Sequence, residues 1–494
     1  MIDRFIYYPL FFVFCRAREI RVFNLMFFWL LSRKAAQRYH GRLAKRLAYL
    51  AYLKASKHCP AYKDFLEHRH FIGADSAADF STIPATDKEV YVKAYTAEQR
   101  CHYGQLPVRG VVIDESSGSG GVPTNWVRGP SDRRLIRHLL QMSLKRTYPG
   151  QKLFIINCFV MGPWATGMNV SMSFSDVALL KSLGSDLKKL ENTLKTFGPH
   201  YNYLILGYPP FIKLFVDTIT LNLKDYNLQL ITGGESLSKG LEDYLSGTFR
   251  TMISSYGASD LDINMAVETA FSKKLRRLCF EQPGLCESLF GKRTVPMIFQ
   301  CNPLDYYIER SSEGELIFTV TRLSALAPKI RYNLRDVGGV LSVEDVFERL
   351  KSLGLEDRIE EPQGYFPLLY VYGRGDQTVL FLGVNITISD MDTVLHGHKE
   401  LYSLFHSFQM SVFEDEKANS YLRLSLELKE GVAQEDADRF NAGPFIFEAL
   451  KVVNQEFREL SKVYPADRLV VETHLFETGP FADRGQRIKQ KYIA

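Results

Sequence analysis

The strongest constraint on the fold is a regular alternation of apolar runs and helical segments in the middle of the chain. Apolar runs that predict strands lie at residues 153–156, 203–206 and 228–231. Segments with helical spacing of apolar residues lie at 185–197, 210–220 and 239–245. Strands that alternate with helices favour a mostly parallel sheet covered by helices. The sequence therefore predicts an α/β fold.

The pattern changes towards the C-terminus. Later runs predict strands at 315–320, 371–382, 408–413, 421–428 and 468–474, with a helix near 435–461. Glycine and charge interrupt the apolar pattern at 373–376, which is typical of a domain boundary. We expect a large N-terminal domain at 1–373, with mixed and parallel sheets flanked by helices, and a small mobile α+β domain at 374–494.

Positive charge is concentrated at the N-terminus. The net charge of the whole chain is +5, which is too mild to indicate a nucleic-acid partner. Residues 1–70, in contrast, hold 14 Lys and Arg against 4 Asp and Glu, a local net charge of +10. The apolar runs within residues 1–40 are shorter than the ~18 residues that span a bilayer. Two interpretations stay open: helices packed on the main body, or an amphipathic segment that contacts an anionic membrane peripherally.

The cysteines indicate the compartment. There are seven, scattered along the chain and without a CxxC motif, which favours a reducing and therefore cytoplasmic environment. Cys279, Cys286 and Cys301 do not have the spacing of a compact tetrahedral metal site, and no histidine lies among them. We expect these three side chains to be buried free thiols.

The most unusual segment is a run of small residues at 116–124. Glycines let the backbone approach an anion closely, and hydroxyl groups add hydrogen-bond donors. An apolar run before the segment and a helix predicted from 131 fit a strand, a phosphate-binding loop and a helix in succession. A flexible surface loop is the alternative. The candidate phosphate-binding residues are Ser116, Ser117, Gly118, Ser119, Gly120 and Thr124.

Two further segments place glycine and polar groups after apolar runs. Residues 232–235 follow a predicted strand and end in Gly233, Gly234 and Glu235, at the position where α/β sheets bind ligands. Residues 254–260 combine an aromatic ring, a glycine and a carboxylate in Tyr256, Gly257 and Asp260. Such a set is able to stack a base and to hold Mg²⁺, an ion that prefers oxygen ligands. Ordinary turns and a helix N-cap remain alternatives.

Charged residues lie beside turns in two later segments. Asp336 is part of the segment 331–338, while Arg374 and Asp376 lie at the expected domain boundary. Each could contact a ligand, or each could belong to a surface ion pair, which is the default for such residues.

In this order and spacing, the segments resemble the AMP-forming adenylating enzymes, and most closely the phenylacetate–CoA ligase family. The resemblance extends from about residue 43 to residue 494. The matching segments are "LAYLAYLKASKHCPAYKDFL", "FSTIPATDKE", "SSGSGGVPT", "ITGGESLS", "YGASD", "PKIRYNLRDVG", which resembles the family's "PLIRYRTGDLG", and "YGRGDQTVLFLGVNI".

The resemblance implies a ligase that uses ATP and Mg²⁺, forms an acyl-adenylate from a carboxylic acid, and transfers the acyl group to an acceptor such as CoA. It implies phosphate contacts at Ser116, Ser117, Ser119 and Thr124, adenine contacts at Gly233, Gly234, Glu235 and Tyr256, a metal ligand at Asp260, a ribose contact at Asp336, a ribose or phosphate contact at Arg374, and a hinge at Asp376. Residues 157–166 and 208–210 would line the acid pocket, where Phe159, Trp164 and Tyr208 suggest an aromatic or otherwise apolar acid.

Several positions depart from the family pattern. Val122 stands where many relatives have Lys, Asp260 where they have Glu, and Arg335 where they have Gly. Gln486 occupies the position of the lysine that bridges carboxylate and phosphate, and Lys489 lies three residues further on. Two alternatives therefore stay open: an amide or ester ligase that does not use CoA, and a catalytically degenerate nucleotide- or acyl-binding protein. A homodimer is also open.

Overall fold

A computed structural model of the protein describes residues 13–14, 17–18, 20–116, 123–235, 237–375 and 378–482. The strands are β1 Val112–Ser116, β2 Thr124–Arg128, β3 Leu153–Asn157, β4 Leu179–Ser182, β5 Asn202–Gly207, β6 Asn227–Gly233, β7 Thr251–Tyr256, β8 Ala266–Val267, β9 Met297–Cys301, β10 Tyr306–Arg310, β11 Glu315–Val320, β12 Tyr332–Leu341, β13 Leu368–Arg374, β14 Thr378–Phe381, β15 Val384–Thr387, β16 Phe405–Glu414, β17 Ser420–Leu428 and β18 Leu469–His474.

The helices alternate with these strands. They are α1 Arg21–Leu31, α2 Gln37–His58, α3 Pro60–His68, α4 Pro130–Thr147, α5 Ala165–Phe174, α6 Leu187–Phe197, α7 Pro209–Thr218, α8 Lys239–Leu245, α9 Ala270–Glu281, α10 Pro283–Phe290, α11 Val343–Ser352, α12 Ile388–Gly397, α13 Lys399–Leu404, α14 Gln434–Phe440, α15 Ala442–Val453 and α16 Gln455–Leu460.

One large sheet organises most of the chain. Its strand order is β10-β11-β12-β13-β9-β8-β7-β6-β5-β3-β4. Strands β4, β3, β5, β6 and β7 are parallel to one another. Every further pair in the sheet, from β7 and β8 to β11 and β10 at the other edge, is antiparallel. Strands β3, β5 and β6 in the middle of the parallel part are mostly buried, and Leu204 and Ile205 of β5 are fully buried, as expected for a sheet covered by helices on both faces. The sheet confirms the predicted α/β class.

The parallel strands end at a common edge. Because β3, β5, β6 and β7 run in the same direction, Asn157, Gly207, Gly233 and Tyr256 lie at this carboxyl edge. The connections into helices are tight: Asp186 caps α6 by accepting a hydrogen bond of 2.9 Å from the backbone N–H of Lys189. The carboxyl edge is therefore where loops with special residues converge.

Residues 378–482, the C-terminal unit, have a sheet and a core of their own. Strands β16 and β17 pair antiparallel, β18 pairs parallel to β17, and β14 and β15 form a hairpin. The core includes Ile386, Phe408, Leu424 and Ile446, all nearly fully buried. The helix expected near 435–461 is three helices, α14 to α16, because the chain turns at Asn441 and Asn454.

Strand β13 belongs to the large sheet. It pairs with β12 on one side and β9 on the other, and it ends at Arg374. Asp376 lies outside the described residues. The division of the chain into two domains at residues 373 and 374 stays a prediction.

The N-terminal helix is anchored but incompletely covered. Just before the helix, Arg18 forms a buried ion pair of 2.6 Å with Asp305. Within the helix, the centre of the Phe28 ring lies 4.6 Å from that of Phe366. Even so, Val22 is 71% exposed and Trp29 is 56% exposed. In the described part of the chain, no helix has the length and apolar character needed to cross a membrane.

Candidate active site

The first candidate motif is part of a β-hairpin. Strands β1 and β2 are antiparallel, and Ser116 and Thr124 are paired where the loop begins and ends. The helix predicted from residue 131 is present as α4, which begins at Pro130, but an unpredicted strand, β2, lies between this helix and the loop. The cause is the run Thr124–Arg128, whose buried Trp126 and Arg128 alternate with outward-facing residues, the pattern of a strand.

Ser116 is held at the base of the loop. Its buried hydroxyl oxygen accepts a hydrogen bond of 2.8 Å from the indole N–H of Trp126 and one of 3.4 Å from Nζ of Lys88. Four of the predicted phosphate-binding residues lie outside the described part of the chain, namely Ser117, Gly118, Ser119 and Gly120. Their role stays a prediction.

Two predicted glycines lie at the carboxyl edge for steric reasons. Gly233 ends β6 and is paired with Ser255 on β7. Gly234 has a φ of +80°, and a Cβ atom there would lie 2.6 Å from the ring of Tyr208. Gly257, which follows β7, would drive a Cβ atom into the carbonyl group of Ile263. The backbone therefore requires glycine at 234 and 257, whereas a Cβ atom at Gly233 would make only ordinary contacts.

Tyr256, Asp336 and Arg374 come together although they lie on three different strands. The Tyr256 hydroxyl donates a hydrogen bond of 2.5 Å to the Asp336 carboxylate. Arg374 is paired with Asp336 across β12 and β13, and its Nε lies 3.9 Å from that carboxylate. Burial, and then the charge of Asp336, raise the pKa of Tyr256 well above its usual value. Asp336 is buried, so the arrangement differs from the surface ion pair considered as the alternative.

Asp260 lies beside this group. Its carboxylate accepts a hydrogen bond of 2.7 Å from the hydroxyl of Tyr332, which is fully buried on β12. Among the described residues, no three Asp, Glu, His or Cys side chains are grouped to hold a metal ion. A single carboxylate still fits Mg²⁺, because this ion commonly takes one or two protein carboxylates together with phosphate oxygens and water.

Glu235 faces the C-terminal unit. Its carboxylate is enclosed near the backbone N–H groups of Leu382 and Gly383, at the turn between β14 and β15. Burial, and then the charge of Glu414, raise the pKa of Glu235 to about 8. Ser238 reinforces the contact by donating a hydrogen bond of 2.8 Å to Glu414. The adenine contact implied for Glu235 stays a prediction.

The sequence interpretation missed two lysines. Lys329 has its amino group 4.2 Å from the centre of the Trp126 ring and 5.4 Å from that of Tyr332. Burial, and then the nearby Arg100, lower the pKa of Lys329 to about 7. The signal was present in "PKIRYNLRDVG", where Lys329 replaces the family's leucine. Lys88, in contrast, is the lysine of the matched "FSTIPATDKE" segment.

Two cavities adjoin these residues. One, of about 90 Å³, opens beside Gly233, Gly234 and Gly257 and is lined mainly by apolar side chains of α4, α5 and the large sheet. The other, of about 270 Å³, lies between α7 and the C-terminal unit. The aromatic residues expected in one acid pocket are divided between them. Phe159 lines the first cavity, and Trp164 and Tyr208 line the second.

The remaining predicted residues do not form a further site. Cys279, Cys286 and Cys301 are buried free thiols, as expected, and burial raises the pKa of Cys301 to about 12. Gln486 and Lys489 lie outside the described residues, so their relation to the site stays a prediction.

Comparisons with known proteins identify the fold. No protein-family model and no curated protein matches the chain. A structure of 2-hydroxyisobutyryl-CoA ligase in the thioesterification state, in complex with 2-HIB-AMP and CoA, matches with a TM-score of 0.63 at 17% identity, over 94% of this chain and 90% of that one. An open conformation of the same ligase matches with a TM-score of 0.51 at 17% identity, over 91% and 90% of the two chains. The chain therefore has the same fold as this CoA ligase.

Proposed function

We propose that the protein activates a carboxylic acid with ATP and transfers the acyl group to an acceptor such as the thiol of CoA. In the first step a carboxylate oxygen attacks the α-phosphorus of ATP, the bond to the β-phosphate breaks, and pyrophosphate leaves. In the second step the acceptor attacks the acyl carbon and AMP leaves. The observation that carries the proposal is the contact of Tyr256, Asp336 and Arg374, which joins three separate motifs at one place.

The nucleotide would lie along the carboxyl edge. Asp336 offers its carboxylate to the ribose hydroxyls, and Arg374 stabilises the charge of that carboxylate. Gly233 and Gly234 leave room for the adenine, and Tyr256 presents a ring beside them. These groups position the nucleotide without a covalent bond to the protein, which suits a reaction that depends on orientation and charge neutralisation.

The phosphates would lie between the hairpin loop and Asp260. Thr124 and the loop residues would supply donors, and Lys88 and Lys329 would supply positive charge from the base of the hairpin. Mg²⁺ would be held by Asp260 and would neutralise phosphate charge when bound. Tyr332 orients the Asp260 carboxylate by its hydrogen bond.

The acceptor would approach from the side of the C-terminal unit. The cavity of about 270 Å³ is lined from one side by Trp164 and Tyr208 and from the other by Gly383 and Tyr464, so it lies where the two parts meet. We propose that Asp376 is the hinge between an N-terminal domain at 1–373 and a mobile domain at 374–494. An amine or alcohol acceptor would use the same cavity, and the mass of the product formed with CoA or with amines distinguishes these ligases.

A degenerate binding protein remains the second candidate, because Gln486 lacks the charge of the family's lysine. Acid-dependent exchange of pyrophosphate into ATP separates the two candidates. If Lys489 substitutes for the missing lysine, Lys489→Ala should lose exchange and Gln486→Lys should gain little. If the protein is degenerate, exchange should be near zero and should rise in Gln486→Lys.

We also propose that α1 contacts an anionic membrane surface. The apolar side chains exposed on this helix include Val22, Phe23, Met26 and Trp29. The helix is part of residues 1–70, which carry a net charge of +10. Exposed apolar groups beside clustered basic residues suit reversible binding at a negatively charged bilayer.

A further inference from the structure

The cavity beside the glycine turns is small. It has a volume of about 90 Å³ and lies between helices α4 and α5 and the ends of strands β5 to β7. Gly233, Gly234 and Gly257 line its end at the carboxyl edge, so this end adjoins the place proposed for the nucleotide, whose α-phosphate would meet the carboxylate there. This inference rests on the proposed function, and it concerns which acid the cavity admits.

Helix α4 supplies one wall. Leu140, Ser143, Leu144 and Thr147 line the cavity, and their spacing of three and four residues puts them on one face of the helix. Leu140 and Leu144 are buried and belong to the core beneath the sheet. The wall is therefore apolar with two hydroxyl groups, so it suits a hydrocarbon tail with or without a hydroxyl group.

Helix α5 runs along the length of the cavity. Thr166, Val170 and Phe174 line it at intervals of four residues, again on one helix face. Thr166 lies near the Tyr208 hydroxyl, and the Tyr208 ring lies against Gly234, so this end of α5 lies near the glycine turns. Phe174 lies two turns further along the helix, roughly 12 Å away by the helical rise.

The far end of the cavity is closed. Gln141 of α4 donates a hydrogen bond of 2.8 Å to the carbonyl oxygen of Ser173, which fixes the end of α5 against the middle of α4. Phe174 and Leu144 are 4% and 7% exposed, so both are packed rather than open to solvent at this end. A longer tail would have to displace these side chains from a well-packed core, which is costly.

The volume limits the size of the tail. An apolar cavity of about 150 Å³ is large enough to bind benzene, with its six carbons. The cavity here, at about 90 Å³, is smaller. In proportion it holds about four carbon atoms. We propose that the substrate is a short-chain aliphatic or hydroxy-aliphatic acid of about four carbons, and that Phe174 excludes aromatic and long-chain acids.

The proposal is tested first by binding. The full-length protein with AMP would be titrated with butanoate, 2-methylpropanoate, benzoate and octanoate, and thermal stabilisation would give an apparent Kd for each acid. We expect the four-carbon acids to bind at least tenfold more tightly than benzoate or octanoate. Equal or tighter binding of benzoate or octanoate overturns the proposal, as does stabilisation by none of the four acids.

Variants then identify the residue that determines which acids bind. Phe174→Ala enlarges the closed end and should shift the preference at least tenfold towards octanoate or benzoate. Phe215→Ala removes the same ring from a different core, which does not line the cavity, and should leave the preference unchanged. Val170→Ala is a milder enlargement that should shift the preference in the same direction if Phe174→Ala does not fold. An unchanged preference in every folded cavity variant contradicts the assignment.

The readouts separate this inference from the proposed function. Binding preference is measured without turnover, so it judges the cavity even in a protein that does not catalyse adenylation. Pyrophosphate exchange with the same four acids judges the function. Exchange that is supported best by octanoate or benzoate would uphold the function and overturn the inference.

Discussion

Two enclosed carboxylates at the candidate site differ in what surrounds them. Asp336 is bonded to Tyr256 and lies near Arg374, and all three side chains belong to the large sheet. Glu235 instead lies near the backbone N–H groups of the β14–β15 turn, where burial raises its pKa to about 8. The difference indicates that the ribose side of the site is preformed, whereas the Glu235 contact depends on how the C-terminal unit is placed.

The largest effect is expected on the preformed side, at Lys329. Lys329→Met keeps the length of the side chain and removes its charge, so the rate of pyrophosphate exchange should fall by ~10²–10³, the usual cost of losing one preorganised electrostatic contact. Lys329→Arg should retain part of the activity. Lys429, whose amino group also lies over a tyrosine ring, that of Tyr402 in the C-terminal unit, provides the control variant Lys429→Met. Full activity of Lys329→Met would limit Lys329 to a packing role.

Asp336 should show a smaller effect, mainly on the affinity for the nucleotide. Asp336→Ala removes a charge-assisted hydrogen bond to ribose worth ~1.5–3 kcal/mol, so ATP and AMP should both bind roughly 10- to 150-fold more weakly in calorimetry. The free energy of unfolding without ligand should also fall by ~1–3 kcal/mol, because the buried Tyr256 hydroxyl loses its acceptor. A large loss of that free energy, with nucleotide affinity unchanged in the folded fraction, would instead assign Asp336 a structural role.

The Glu235 contact should depend on pH. Because the pKa of Glu235 is raised in the folded protein, the protonated carboxyl group favours the folded state. This contribution to the free energy of unfolding is fully present below the unfolded pKa near 4.5 and is lost as the pH rises through about 8. We expect the thermal midpoint of the parent to fall across this range more steeply than that of Glu235→Gln, which stays neutral.

An exposed glutamate supplies the control for this experiment. Glu356→Gln should reproduce the pH dependence of the parent, because Glu356 lies on the surface. If the thermal midpoint of Glu235→Gln depends on pH in the same way as that of the parent, protonation of Glu235 does not stabilise the contact between the β14–β15 hairpin and the large sheet.

The smallest effect is expected at the membrane surface. Each basic residue near an anionic bilayer contributes ~1 kcal/mol, which salt reduces. Co-sedimentation with anionic vesicles should therefore fall as the salt concentration rises, and Trp29→Ser should weaken it several-fold. Equal recovery with neutral vesicles would show that α1 only packs on the protein.

The sequence predicted the parts of the site that depend on local chemistry. The glycines at 233, 234 and 257 follow strands directly, and Tyr256 and Asp336 belong to motifs that the resemblance had already paired with one ligand. The partners of Glu235 were not predictable in this way, because Leu382 and Gly383 are distant in sequence and meet it only through tertiary packing.

Two errors have the same physical origin. The strand Thr124–Arg128 was missed because its five residues carry too short an apolar pattern to show alternation. Lys329 was missed because a lysine in an apolar run gives no sign that two aromatic rings enclose its amino group. In both cases Trp126 supplies the burial that local sequence does not reveal.

Acid-dependent exchange of labelled pyrophosphate into ATP tests the central claim most directly. The claim that the protein forms an acyl-adenylate predicts exchange in the parent that requires an added carboxylic acid and is lowest in Lys329→Met. Exchange at background level with every acid, in a parent that still binds ATP and AMP, would contradict it.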